Sequence, residues 1–167
     1  METDLYHKLN QALRKVDWSE AKPFFGLLQL MLVAMEKMPK CSEPTVYRGT
    51  RDLPPGILAQ YVRDKVIVWS AFSSATWNLG VLSNPMFHGP VGNRTKFLIE
   101  GCDAGILMDR VSAHQVEDEV LLPPGLAFRV VAVLDCGAGL TEVQLKADAT
   151  AHRIVPPPSA QFLACVQ

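Results

Sequence analysis

Three short stretches hold the residue types that could do chemistry. In "SAHQVEDEVLLPPG", residues 112–125, Glu117 and Glu119 stand two apart where a strand begins, with Asp118 between them. If the chain there is extended, successive side chains point to opposite faces, so the two glutamates project from one side and their carboxylates converge. In "TVYRG", residues 45–49, Arg48 closes an apolar strand immediately before Gly49. In "VWSAFSSAT", residues 68–76, a strand carrying Trp69 and Phe72 runs into the hydroxyls of Ser73, Ser74 and Thr76. Taken alone, each has an ordinary reading: a solvated acidic turn, a surface arginine before a turn, a serine-rich cap.

The elements that must position these residues follow from periodicity. Leu5, Leu9, Leu13 and Val16 recur at three or four residues and predict an amphipathic helix at the start of the chain. A second helix is expected from about Glu20 to Met38, with Pro23 in its first turn and Pro39 ending it. Its "FFGLLQLMLVAM" run, Phe24 to Met35, is too short to cross a bilayer and reads as a buried helix. From Thr45 onward the chain turns to short β-rich runs, "TVYRG", "KVIVWSAF", "KFLIEG", "GILMD", "EVLL", "AFRVVAVLD" and "TEVQLKA", with one short helix at "PGILAQYVR". Trp77 to Arg94 forms a connection long enough to suggest function. Helices first and strands afterwards predict an α+β fold with antiparallel sheets. The 167 residues read as one domain, helical over 1–40 and β-rich over 45–147, with a tail over 148–167 that contains "VPPPS".

Composition narrows the function classes. Hydrophobic content of 49% and charged content of 20% are those of an ordinary globular domain, and a net charge of -1 makes nucleic acid a poor partner. No signal peptide or membrane span is read, so cytoplasmic residence is expected, an expectation compatible with signal-independent export. Cys41, Cys102, Cys136 and Cys165 form no C-x-x-C pair, and His7, His88, His114 and His152 lack ligand spacing, so no metal is expected. "VVAVLDCGAGLTEVQL" imitates a dinucleotide loop through Gly137 and Gly139, but Glu142 occupies the third small-residue position and strand-like alternation follows. A hairpin turn is the better reading.

Taken in order, the three stretches resemble the arginine, serine, glutamate pattern of the mono-ADP-ribosyltransferases, a family of bacterial toxins and vertebrate ectoenzymes that use NAD. Arg48 matches the family's Y-R-G-like strand end. Ser74, Ala75 and Thr76 occupy its S-T-S element after Phe72, and Glu117, Asp118 and Glu119 match its E-x-E before "VLLPPG". The gaps are 26 residues from Arg48 to Ser74 and 45 from Ser74 to Glu119, and the resemblance runs from about Thr45 to Asp135. Two departures stand out. His114 follows Ser112 and Ala113 where the family usually has an aromatic, and Ala75 and Thr76 replace the usual Thr and Ser.

The resemblance implies two packed antiparallel β-sheets with an NAD cleft between them, NAD as cosubstrate, and cleavage of its nicotinamide-ribose bond. It implies that Glu119 stabilises the oxocarbenium-like transition state. Arg48 would hold the pyrophosphate or the adjacent ribose, because a planar fork suits phosphate oxygens. Gly49 would let the backbone approach the nicotinamide amide. Ser74 would donate to Glu119, with Thr76 in support. An acidic residue at the position of Glu117 accompanies arginine acceptors, so transfer of ADP-ribose to an arginine of a target protein is expected. Phe87, with Trp77 as rival, would stack on the nicotinamide ring. Two alternatives remain open: an NAD glycohydrolase using the same pocket, and a catalytically inactive interaction domain with the same fold.

Overall fold

The computed structural model describes residues 4–15, 18–83, 88–108 and 118–151. Helix α1 spans Leu5–Leu13 and buries Leu9, Ala12 and Leu13, the inward stripe that the leucine spacing predicts. The expected second helix divides. A 3-10 segment, Trp18–Phe24, contains Pro23, and the regular helix α2, Phe25–Glu36, starts only after it. A proline ring obstructs the carbonyl four residues earlier, so the turn before it tightens instead of joining the α-helix. Nor is α2 buried all round. Leu28 and Met35 lie in the core, whereas Leu30 is 71% and Val33 44% exposed.

Among the described residues eight strands follow, interrupted early by the single-turn helix α3, Pro55–Leu58. They are β1 Thr45–Arg51, β2 Val66–Trp69, β3 Ser73–Thr76, β4 Arg94–Glu100, β5 Ile106–Leu107, β6 Glu119–Leu122, β7 Leu126–Asp135 and β8 Leu140–Ala147. The α+β reading holds. The expected two sheets are instead one hydrogen-bonded sheet in the order β2-β7-β8-β4-β1-β3-β6-β5, and β4 runs parallel to β8. The junction between its five-stranded and three-stranded parts is a single registered pair, Tyr47 with Thr76. The five-stranded part also curls. Trp69 of β2 meets Phe97 of β4 with ring centroids 5.3 Å apart although two strands separate them in the ladder.

Inside the curl, Val46, Ala75, Phe97, Ile99, Val120, Leu122, Phe128, Val130, Val143 and Leu145 pack as one core. The alternate residues Phe72, Ile106 and Leu121 pack with Leu9, Leu13 and Leu28, so α1 and α2 are fastened to the β3-β6-β5 part. A leucine as fully buried as Leu13 contributes about 2 kcal/mol.

The stretch 68–76, expected as one strand, breaks into β2 and β3, which lie far apart in the sheet. The break has a local cause. The backbone N–H of Phe72 donates to Asn10 Oδ1 of α1 at 3.0 Å, so its hydrogen bond goes to a helix side chain. The glycine-rich stretch is the expected hairpin between β7 and β8. Gly137, Ala138 and Gly139 all have positive φ, and a Cβ on Gly139 would lie 2.6 Å from the carbonyl oxygen of Gly92. Among the described residues no helix is long and apolar enough to cross a membrane.

Candidate active site

Tyr47, Thr76 and Glu119 lie in one cross-strand row over β1, β3 and β6. Residues directly opposite in a ladder share a face, so Ser74, two positions before Thr76, projects from that face as well. Ser74 is registered with Leu121 and is thus a diagonal neighbour of Glu119. That separation is about 7–8 Å between Cα atoms, within reach of longer side chains than serine. No hydrogen bond joins the Ser74 hydroxyl to the Glu119 carboxylate. The Thr76 hydroxyl instead accepts the backbone N–H of Asn78 at 3.1 Å and is buried.

The acidic triplet is not a plain continuation of β6. That strand begins at Glu119, and Asp118 has a φ of 74°, in the left-handed region. The alternation that would set Glu117 and Glu119 on one face therefore does not run through Asp118. Glu117 itself lies outside the described residues, as do Phe87 and the Ser112, Ala113, His114 loop.

Arg48 occupies the opposite face of β1, alternating with Tyr47 and Gly49. Its guanidinium carbon stands 5.9 Å from the centre of the Trp69 ring, and Nη1 donates to the carbonyl oxygen of Ser74 at 2.5 Å. The guanidinium thus bridges the place where β1 and β3 are joined by one pair, tying the two parts of the sheet together. Trp69 is itself held by its indole N–H donating to the Tyr61 hydroxyl at 3.0 Å. Burial lowers the Arg48 pKa and raises that of Tyr61, yet a guanidinium stays charged at neutral pH. Among the described residues no carboxylate lies within ion-pair distance of Arg48, and the buried hydroxyl of Thr50, two residues along the same strand face, has no hydrogen-bond partner. A desolvated cation without a counter-charge beside an unsatisfied hydroxyl suits the phosphate oxygens of a dinucleotide.

Helix α1 also contributes to the site, outside the three motifs. Tyr6, Asn10 and Arg14 follow one another at four-residue intervals and share one face of the helix line. Asn10 is buried against Phe72, and Tyr6 and Arg14 lie near Arg48, the Arg14 cation opposing the Arg48 charge beneath the larger effect of burial. The signal in the sequence was a polar stripe of period four between leucines.

A second contribution from outside the motifs is His88. A Cβ on Gly49 would lie 2.7 Å from His88 Cδ2, so the imidazole occupies the space that the glycine leaves. His88 is buried, and its Nδ1 is 2.8 Å from the carbonyl oxygen of Gly89. Two cross-strand arginines fasten this segment: Arg51 Nε donates to the His88 carbonyl at 3.0 Å and Arg94 Nη1 to the Gly89 carbonyl at 3.3 Å. Trp77, the rival aromatic at the end of β3, is 40% exposed.

Comparison with known proteins gives this geometry a context. The family model described as NAD:arginine ADP-ribosyltransferase matches residues 1–152. No curated protein matches the chain. Among solved structures, the chain is similar to the Vis toxin of Vibrio splendidus, an ADP-ribosyltransferase, at 23% identity and a TM-score of 0.68, covering 89% of this chain and 70% of that one. The same toxin has been solved with agmatine, again at 23% identity and a TM-score of 0.68, covering 89% and 71%. Exoenzyme S of Pseudomonas aeruginosa, in complex with human 14-3-3 protein beta and bound to carba-NAD, is similar at 23% identity and a TM-score of 0.65, covering 98% and 76%. At these identities the likeness is one of fold.

Proposed function

The chain belongs to the NAD:arginine ADP-ribosyltransferase family, and from that premise we propose that it transfers ADP-ribose from NAD to an arginine side chain of a target protein. Use of NAD follows from the family. The observation that carries the site assignment is Arg48, a desolvated guanidinium with an indole face, a backbone carbonyl and no described carboxylate around it, at the junction beside the Thr76–Glu119 row. It would take the pyrophosphate, with Arg14, which caps the C-terminus of α1, as a second cation and the Thr50 hydroxyl as a donor.

Glu119 then faces the reacting ribose. As the bond from the ribose carbon to the nicotinamide nitrogen breaks, its electron pair neutralises the ring nitrogen and positive charge develops on the sugar. A carboxylate fixed at the start of β6 stabilises that charge and holds the neighbouring hydroxyl. An acceptor guanidinium must be oriented and must lose a proton as its nitrogen bonds to the ribose carbon. Glu117 is the carboxylate we assign to that step. Ser74 and Thr76 form the floor beneath Glu119, and Gly49 with His88 sets the adjoining wall. Phe87 is the aromatic proposed for nicotinamide stacking.

Transfer to arginine is favoured over hydrolysis by the acidic residue at 117. The test separates the two steps: Glu117→Gln should suppress transfer to a free guanidino acceptor while nicotinamide release persists. Equal loss of both reactions would remove Glu117 from the acceptor role.

A further inference from the structure

The imidazole of His88 uses its two edges differently. A Cβ at Gly49 would meet His88 Cδ2 at 2.7 Å and Cγ at 3.2 Å, so one edge of the ring lies against β1. Gly49 shares a face with Tyr47, two positions earlier, and the ring therefore stands on the face of the Tyr47, Thr76 and Glu119 row. On the other edge Nδ1 is 2.8 Å from the Gly89 carbonyl oxygen. A carbonyl only accepts, so Nδ1 carries the ring proton, and in the neutral ring Nε2, bonded to Cδ2, is left as an acceptor. Among the described residues nothing donates to it. The ring is also held in place. His88 is buried, its carbonyl takes Arg51 Nε at 3.0 Å, and the Gly89 carbonyl takes Arg94 Nη1 at 3.3 Å.

The strand beneath the ring has an open edge. β1 pairs with β3 only at Tyr47 with Thr76, so from Arg48 onward no described strand lies along that side of β1. A strand edge offers N–H and C=O groups to a ligand that can pair with both. A primary carboxamide does so: its oxygen accepts, one N–H donates to the edge, and the second N–H needs another acceptor. We propose that His88 is a specificity-determining residue for NAD, its Nε2 accepting that second N–H of the nicotinamide carboxamide. This rests on the reading of the site given above, in which Gly49 and His88 wall the NAD pocket. A ring bearing a ketone or a carboxylate in place of the amide presents no N–H and leaves the buried imidazole nitrogen unpaired.

The test measures release of the pyridine base from NAD and from its acetylpyridine analogue, in which a methyl ketone replaces the carboxamide, keeping the oxygen and losing both N–H groups. Rates at subsaturating dinucleotide are compared within each protein, so the folded fraction and any general loss of activity cancel in the ratio. The variants are His88→Leu, with His88→Met should the leucine chain not fold, and His88→Gln, whose side-chain oxygen reaches the place of Nε2. The parental preference for NAD over the analogue should fall about tenfold in the apolar variant, the worth of one hydrogen bond, and be retained in His88→Gln. A parental ratio in the apolar variant overturns the proposal. So does a fall in His88→Gln as large as that in the apolar variant, which would mark the shape of the ring and not its acceptor. A parent that releases no nicotinamide from NAD refutes the reading of the site itself, and the proposal falls with it.

Discussion

Arg48 shows what a single residue must satisfy here. It stacks over Trp69 and donates to the Ser74 carbonyl from one planar group, and lysine, a point charge on a flexible stem, cannot do both. Arg48→Lys should therefore fail to preserve activity, with nicotinamide release down about 10–100-fold, measured at subsaturating NAD. The sequence pattern pointed to Arg48, Gly49, Ser74 and Glu119, because each occurs in a short motif. It did not reveal why residue 49 is glycine. His88 is 39 positions away and fills the missing Cβ space only in the folded chain. Gly49→Ala should displace the imidazole and lower both stability and activity. Adding His88→Ala should return part of the stability, as read by thermal unfolding of the double variant. The cysteines are graded by burial: the Cys41 thiol is pushed up and that of Cys102 to about 11, whereas Cys136 is exposed. Of these three, iodoacetamide at neutral pH should modify Cys136 in the folded protein and spare the others, as read by peptide mass spectrometry.

At the scale of elements, the connection between α1 and the start of β3 organises the site. Asn10 is buried and caps the Phe72 N–H. Asn10→Ala would leave that donor unsatisfied and cost about 1–3 kcal/mol. At about 2–4 °C per kcal/mol for a chain of this size, the unfolding midpoint should fall by several degrees. An unchanged midpoint would mean that the bond does not hold β3. This contact explains what sequence periodicity missed. The run through 68–76 is apolar and β-forming throughout, and nothing local signals that a helix side chain more than sixty residues earlier diverts one N–H and splits the strand. The parallel pairing of β4 with β8 was equally hidden, since strand direction depends on how the whole chain returns to the sheet. The alternation argument for the acidic pair failed for a related reason. It assumes extended backbone at every step, and Asp118 is left-handed.

For the whole molecule, the parallel pairing of β4 with β8 sets Lys96 directly opposite Glu142 in a largely buried ion pair of 2.6 Å, with Gly49 the neighbour of Lys96 on its other side in the ladder. The hydrogen bond from Lys96, then that from Gln144, lowers the Glu142 pKa. A carboxylate with a depressed folded pKa binds fewer protons folded than unfolded. Its stabilisation is thus fully present above the ordinary value of 4.5 and disappears as pH falls through the folded value. Replacing it by Glu142→Gln should cost about 1 kcal/mol at neutral pH and nothing in strong acid, as measured by urea unfolding across pH. The α+β order and the hairpin at Gly137 and Gly139 were legible because each depends on local spacing. The single-pair junction that Arg48 bridges was not, because it arises where two parts of one sheet diverge.

The central claim, that the junction and the Glu119 row form an NAD site serving an arginine acceptor, is tested most directly by incubating the protein with NAD and agmatine and following nicotinamide release and ADP-ribosylated agmatine together. The Glu119→Ala variant serves as control. The account predicts adduct and nicotinamide from the parent, with both falling at least about 100-fold in the variant. Undiminished product from Glu119→Ala, or nicotinamide from the parent with no adduct on agmatine, would contradict it.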